Sequence, residues 1–174
     1  NEIDEKVLKK IRGVLSRHPT FQTYLLSRQD FEDLPHGQRL EFFEGQKLYG
    51  NLDLKPPSRK QVLEEMRRSR LGSLHYIRHY ITLPHDEERK ARLVYFQLKD
   101  AYFYLRNIAY YESGSLVSTR KELTSRLAEL PVDRSLAMEL LQTLELYEEH
   151  KSKIAENPDE YLFKLEKFFR TTRV

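Results

Sequence analysis

The chain contains 174 residues, of which 39% are hydrophobic and 33% are charged, and it carries a formal net charge of +3. This composition suffices for one domain with a sizeable core and argues against wholesale disorder, while the lack of an 18-residue apolar run excludes a membrane span. Because cysteine is absent, disulfides and thiolate metal sites are excluded, and we expect a cytoplasmic protein.

The beginning of the chain predicts one helix and two short strands. Apolar residues at helical spacing indicate a first helix that ends before Pro19, because the residue preceding a proline avoids the α region. The segments "FQTYLLS" (21–27) and "QKLYG" (46–50) are typical of strands. Two strands alone are marginal in water, so we expect them to pair, with Leu48 and Tyr49 against the first helix or a partner chain.

The rest of this region predicts a connection and a linker. The connection between the strands indicates a single helical turn around residues 39–43. Pro56 and Pro57 cannot continue a strand ladder and precede a helix start, so "NLDLKPP" is predicted to be a linker. We therefore divide the chain into a small α/β segment at 1–54 and a helical domain at 55–174.

The second part predicts a mainly α fold, an antiparallel bundle of about five helices joined by short loops. Each helix start has its own signal: capping boxes at Ser58 and Thr119, aspartates that can cap at two other starts, and a proline at the first helical position of the last helix. The predicted helices begin at Ser58, Asp86, Thr119, Asp133 and Asn157, and the first four end at about Thr82, Glu112, Glu129 and Ala155.

The helix predicted from Asp86 to Glu112 is apolar around most of its circumference, so we expect it at the centre of the bundle. Its polar residues recur at spacings of three and four and form one stripe. A polar stripe on such a helix either faces solvent or lines a cavity, and both alternatives remain open at this point. The stripe consists of Gln97, Asp100, Tyr104, Asn107 and Tyr111.

The basic residues are concentrated in one segment. Residues 58–99 carry ten basic and five acidic side chains, whereas residues 100–174 carry eleven and thirteen. Such an excess is typical either of a solvated helix face or of a surface that attracts phosphate groups. No recognised nucleic-acid-binding module accompanies it, so nucleic acid is a partner that the sequence allows but does not favour.

The segment "EGQKLYG" (44–50), followed by a proline-marked linker and a helical bundle, resembles the end of the palm domain in polymerase-β-type nucleotidyltransferases. The segments "RLGSLHYIRHY" and "FQLKDAYFYLRNIAYYESG" are similar to the first two helices of the HEPN-like, substrate-binding bundles that follow such palms. The resemblance implies a partial palm-like segment at 1–54 and a substrate-binding bundle at 55–174. It also implies Mg²⁺ and a nucleoside triphosphate, although nothing in this chain predicts a cofactor of its own.

The chain departs from that family in the catalytic elements. The family's Gly-Ser loop and Asp-x-Asp strand, which hold two metal ions, do not occur in this sequence. We therefore expect this chain alone to be inactive, as the carboxyl-terminal part of such a protein or as a relative without its catalytic half. Its expected partners are a nucleotide or small-molecule acceptor, and a catalytic palm domain or a second copy of the chain.

The resemblance also suggests site residues on the polar stripe. In aminoglycoside-modifying relatives a carboxylate of the helical domain serves as general base for the acceptor hydroxyl, and Asp100 is the only acid on the stripe. We expect it to border a cleft, with an arginine of the preceding helix within reach of a phosphate. The expected substrate-binding residues are Gln97, Tyr104, Asn107, Arg70 and Arg78.

Two other functions fit parts of the sequence. Arg70 and His75 match the Arg-x4-His spacing of HEPN ribonucleases, which cleave RNA without a metal, although this spacing turns the two side chains about 140° apart on a straight helix. A purely structural, dimerising bundle is the third alternative. His75 and His79 have the spacing of a metal-binding pair, but no third ligand lies nearby in the sequence, so no metal site is predicted.

Overall fold

The computed structural model describes residues 5–17, 26, 28–44, 55–84 and 86–174, and the helices in these ranges confirm the mainly α fold. Apart from Leu26, both predicted strands lie outside the described residues, and with them Leu48 and Tyr49. The division at residue 54 falls at the end of one of these gaps and stays a prediction. The helices are α1 (Glu5–Leu15), α2 (Arg28–Asp33), α3 (His36–Glu44), α4 (Arg59–Thr82), α5 (Glu87–Ser113), α6 (Arg120–Arg126), α7 (Arg134–Glu145), α8 (Tyr147–Glu156) and α9 (Pro158–Thr171).

Helix α5 is the central member of the bundle. It packs against α4, α6, α7, α8 and α9, so five helices surround it. Side chains at helical spacing along its length, from Val94 through Leu98 and Leu105 to Ile108, are fully buried. Within the described ranges, no helix has both the length and the apolar character needed to cross a membrane.

The predicted helix starts follow from local hydrogen bonds. The Ser58 hydroxyl accepts from the backbone N–H of Gln61, while the Gln61 side chain accepts from the backbone N–H of Ser58, which completes the capping box. At α6 the Thr119 hydroxyl accepts from the Glu122 N–H, but the Glu122 carboxylate accepts from Ser118 instead of Thr119. Both caps satisfy backbone donors that the first turn of a helix leaves free.

Two helical predictions need correction. Residues 28–44 form two helices instead of one turn, and Phe31 of α2 packs edge-on against Phe42 of α3 with ring centroids 5.4 Å apart. The helix predicted from Asp133 to Ala155 is divided at Leu146, whose backbone leaves the helical region at φ −98° and ψ 26°. Six α-helices therefore form residues 55–174, instead of about five.

The division at Leu146 has a local hydrogen bond before it and a packing contact after it. The Thr143 hydroxyl donates to the carbonyl oxygen of Glu139 at 2.8 Å, a contact that tends to bend helices. After the division, α8 lies along α5, where Ile154 is buried and the ring of Tyr147 meets Tyr95. The division of this helix was not predicted, because no glycine or proline marks it in the sequence.

Helix α3 is attached to the bundle at its first turn. The backbone N–H of Gly37 donates to both carboxylate oxygens of Glu65, each at 3.1 Å. A Cβ atom at Gly37 would lie 2.6 Å from the Asn107 amide nitrogen, so glycine allows this close approach. Leu40, one turn later, is buried in the core.

Helices α4 and α9 are joined by two arginines. The Arg70 guanidinium donates to the carbonyl oxygens of Phe169 at 2.6 Å and Arg170 at 3.4 Å, in the last turn of α9. Arg78 forms an ion pair with Glu166 at 2.7 Å. A cation at a helix C-terminus is stabilised both by the free carbonyl groups and by the helix dipole.

We expect Arg70→Met to lower the free energy of unfolding by about 1–2 kcal/mol, because it removes a charged donor from the end of α9 but keeps the apolar stem. Arg67→Met is the matched control, since Arg67 is exposed on the same helix, and it should stay within about 0.5 kcal/mol of the parent. Urea unfolding followed by circular dichroism measures both. Equal effects of the two substitutions would contradict the role assigned to Arg70.

Candidate functional site

The predicted polar stripe of α5 is covered by neighbouring helices along much of its length. Gln97 and Tyr104 are buried, while Asp100, Asn107 and Tyr111 are half-buried. Tyr104 packs edge-on against Phe168 and Phe169 of α9, with ring centroids 6.2 and 5.6 Å apart. Asn107 lies against Gly37 of α3.

One pair of the predicted site residues is hydrogen-bonded. The Gln97 amide donates to Asp100 Oδ2 at 2.9 Å, and Gln97 Oε1 is buried without a hydrogen-bond partner among the described residues. Burial raises the pKa of Asp100, an effect that the hydrogen bond from Gln97 and the charge of Lys99 partly offset. A raised carboxyl pKa suits a general base, so the assignment of Asp100 stays a prediction on chemical grounds.

The predicted arginines are engaged by α9. Arg70 donates to backbone carbonyl groups, and Arg78 pairs with Glu166, which also pairs with Arg170. His75 is exposed, next to His79, with ring centroids 6.4 Å apart. Among the described residues no hydrogen bond joins Arg70 to His75, and the Arg70 guanidinium is engaged by α9. The ribonuclease pair therefore stays a prediction.

The pKa of Asp100 leads to a prediction about stability and pH. Folding raises the pKa of the Asp100 carboxyl group, so this group ionises at a lower pH in the unfolded chain than in the folded one. The folded state therefore loses stability as the pH rises above the pKa that the group has in the unfolded chain. Asp100→Asn cannot ionise and keeps an acceptor for Gln97. We expect the variant to exceed the parent in melting temperature at neutral pH and to lose this advantage toward about pH 4. Melting curves at several pH values measure it, and an advantage that grows toward acidic pH would contradict the effect of burial.

A cleft of about 270 Å³ lies between α5, the start of α6 and the division between α7 and α8. Two tyrosines from distant parts of the chain meet in it: the ring centroids of Tyr95 and Tyr147 are 4.5 Å apart, at an angle of 47°. Both rings are half-buried. The residues that line the cleft are Tyr95, Lys99, Arg120, Leu144, Glu145, Leu146, Tyr147, Glu148 and Glu149.

The cleft contains two cations that lie near aromatic rings. The Lys99 ammonium lies 5.5 Å from the centroid of the Tyr95 ring, and the Arg120 guanidinium lies 5.7 Å from the centroid of Tyr102. Among the described residues no ion pair within 4 Å engages Lys99 or Arg120. Their charges are therefore available to an anionic ligand in the cleft.

A second concave surface lies on the outer face of α4. It has a volume of about 420 Å³ and is lined by Leu71, Leu74, His75, Arg78, His79 and Thr82. The charge of Arg78 is already neutralised there by Glu166. In the described ranges no group of three or more histidine, aspartate or glutamate side chains is arranged to hold a metal ion.

Comparisons of the chain with protein families, with curated proteins and with solved structures found no match. The geometry of the described residues therefore carries the functional argument. The sequence had not indicated a site at Tyr95, Lys99, Arg120 and Tyr147. The tyrosine and lysine one turn apart on α5 were the local signal, but nothing in the sequence indicated that Tyr147 would join them.

Proposed function

We propose that the helical bundle is the ligand-binding module of a nucleotidyltransferase-like protein and binds a nucleotide in the cleft between Tyr95, Tyr147, Lys99 and Arg120. The observation that carries this proposal is the combination of a tyrosine pair with two cations, Lys99 and Arg120, that form no ion pair within 4 Å among the described residues. A nucleotide has the matching chemistry, an aromatic base joined to a phosphate.

Each part of the cleft has a role in this proposal. The exposed part of the Tyr147 ring offers a stacking surface for the base, a contact worth about 1–3 kcal/mol in other nucleotide-binding proteins. Lys99 and Arg120 offer charged donors to the phosphate, and hydrogen bonds of this kind are about twice as strong as neutral ones. The cleft volume of about 270 Å³ is near the lower end for small-molecule sites, which favours a mononucleotide over a polymer.

The resemblance to nucleotidyltransferases supports the same class of ligand. In this proposal the bundle contributes binding and orientation, while the metal-dependent transfer step belongs to a catalytic palm domain, in the same protein or in a partner. Asp100 lies one residue beyond Lys99 on α5. The predicted stripe and the cleft are therefore adjacent faces of one helix, and an acceptor near Asp100 would lie on the neighbouring face.

Titration with adenosine monophosphate tests the proposal. We expect Arg120→Met and Lys99→Met each to weaken binding about tenfold, because each removes one charged contact to the phosphate. Isothermal titration calorimetry gives the dissociation constants. We also expect Tyr147→Leu to weaken the binding of the nucleoside adenosine, which has no phosphate.

Lys121→Met is the matched control for Arg120→Met. Lys121 is the next residue of α6, is exposed and does not line the cleft, so its removal lowers the net charge by the same amount. We expect this variant to bind like the parent. The proposal is wrong if the parent binds no nucleotide, or if all three charge variants bind it equally well.

A further inference from the structure

Opposite charges line the cleft without pairing. Its cations come from α5 and α6, whereas its carboxylates, Glu145, Glu148 and Glu149, come from α7 and α8. Among the described residues none of these carboxylates forms an ion pair with Lys99 or Arg120, and Glu148 lies 3.9 Å from the Lys151 ammonium. The cleft therefore combines charged donors from α5 and α6 with carboxylate acceptors from α7 and α8.

Among these acceptors, Glu148 is next in the chain to Tyr147, whose ring is the proposed stacking surface. It follows Tyr147 in the first turn of α8, and its charge helps to raise the pKa of the Tyr147 hydroxyl, after the larger effect of burial. Lys99 lies over the other ring, that of Tyr95. In the proposed site a base stacked on Tyr147 would lie near the carboxylate of the neighbouring Glu148, while Lys99 and Arg120 would meet its phosphate.

We propose that Glu148 makes the cleft selective for adenine and cytosine, which carry an amino group where hypoxanthine and uracil carry an oxo group. This inference rests on the proposed nucleotide site. An ionised carboxylate only accepts hydrogen bonds, so it pairs with an amino group and repels a carbonyl oxygen at the same place. Acidic side chains accept from the cytosine amino group in the same way when proteins recognise DNA.

Two pairs of nucleotides provide the test. Within each pair an oxo group replaces the amino group, and the adjacent ring nitrogen gains a hydrogen. We expect adenosine monophosphate to bind about tenfold more tightly than inosine monophosphate, and cytidine monophosphate about tenfold more tightly than uridine monophosphate. In Glu148→Gln the ratio within each pair should fall to about one, because an amide both donates and accepts. A carboxylate could also accept a hydrogen bond from the ribose 2′-hydroxyl. Because we expect Glu148 to engage the base instead, 2′-deoxyadenosine monophosphate should bind as tightly as adenosine monophosphate.

Glu156→Gln is the matched control, an exposed glutamate of α8 that does not line the cleft, and it should leave both ratios unchanged. Glu148 is itself exposed, so its substitution should preserve the melting temperature. Equal affinity of the parent for both members of each pair overturns this inference but leaves the nucleotide site intact. Unchanged ratios in Glu148→Gln overturn the role of Glu148, and failure of every nucleotide to bind overturns the proposed function itself.

Discussion

The burial of α5 on nearly all sides is the constraint on which the rest of the bundle depends. A helix of 27 residues surrounded by five others leaves little of its surface to water. A polar group buried on this helix lowers the stability of the fold unless it finds a hydrogen-bond partner in the protein. The amide N–H group of Gln97 finds one in Asp100, and Asn107 lies against Gly37 of α3. Tyr95 and Lys99 are among the residues of α5 that stay at least partly accessible, and the cleft forms beside them.

Local sequence signals predicted the helices well because capping is a local interaction. The starts at Ser58 and Asp86 depend on side chains that reach backbone groups only three residues away. The end of α5 at Gly114, with φ 72°, depends in the same way on a residue that adopts the left-handed region easily. The division at Leu146 could not be predicted, because α8 changes direction to pack on α5, and that contact joins residues far apart in the chain.

The candidate site was less predictable for the same reason. The sequence identified α5 as the central helix, but its polar stripe did not show which neighbours would cover it. The aromatic residues of α9 take the position beside Tyr104, and the first turn of α3 takes the position beside Asn107. The tyrosine pair depends on the course of the chain after Leu146, which a pattern of helical spacing does not contain.

The single-residue joint at Leu146 has a further consequence for recognition. Because no loop separates α7 from α8, and because Leu144 and Ile154 anchor the helices on either side of the joint in the core, the two walls that meet there cannot move independently. A cleft of this construction is preorganised: its shape exists before a ligand arrives, and little conformational entropy is lost on binding. Association should then follow simple one-step kinetics, without the closing motion that a hinged lid imposes on its ligand.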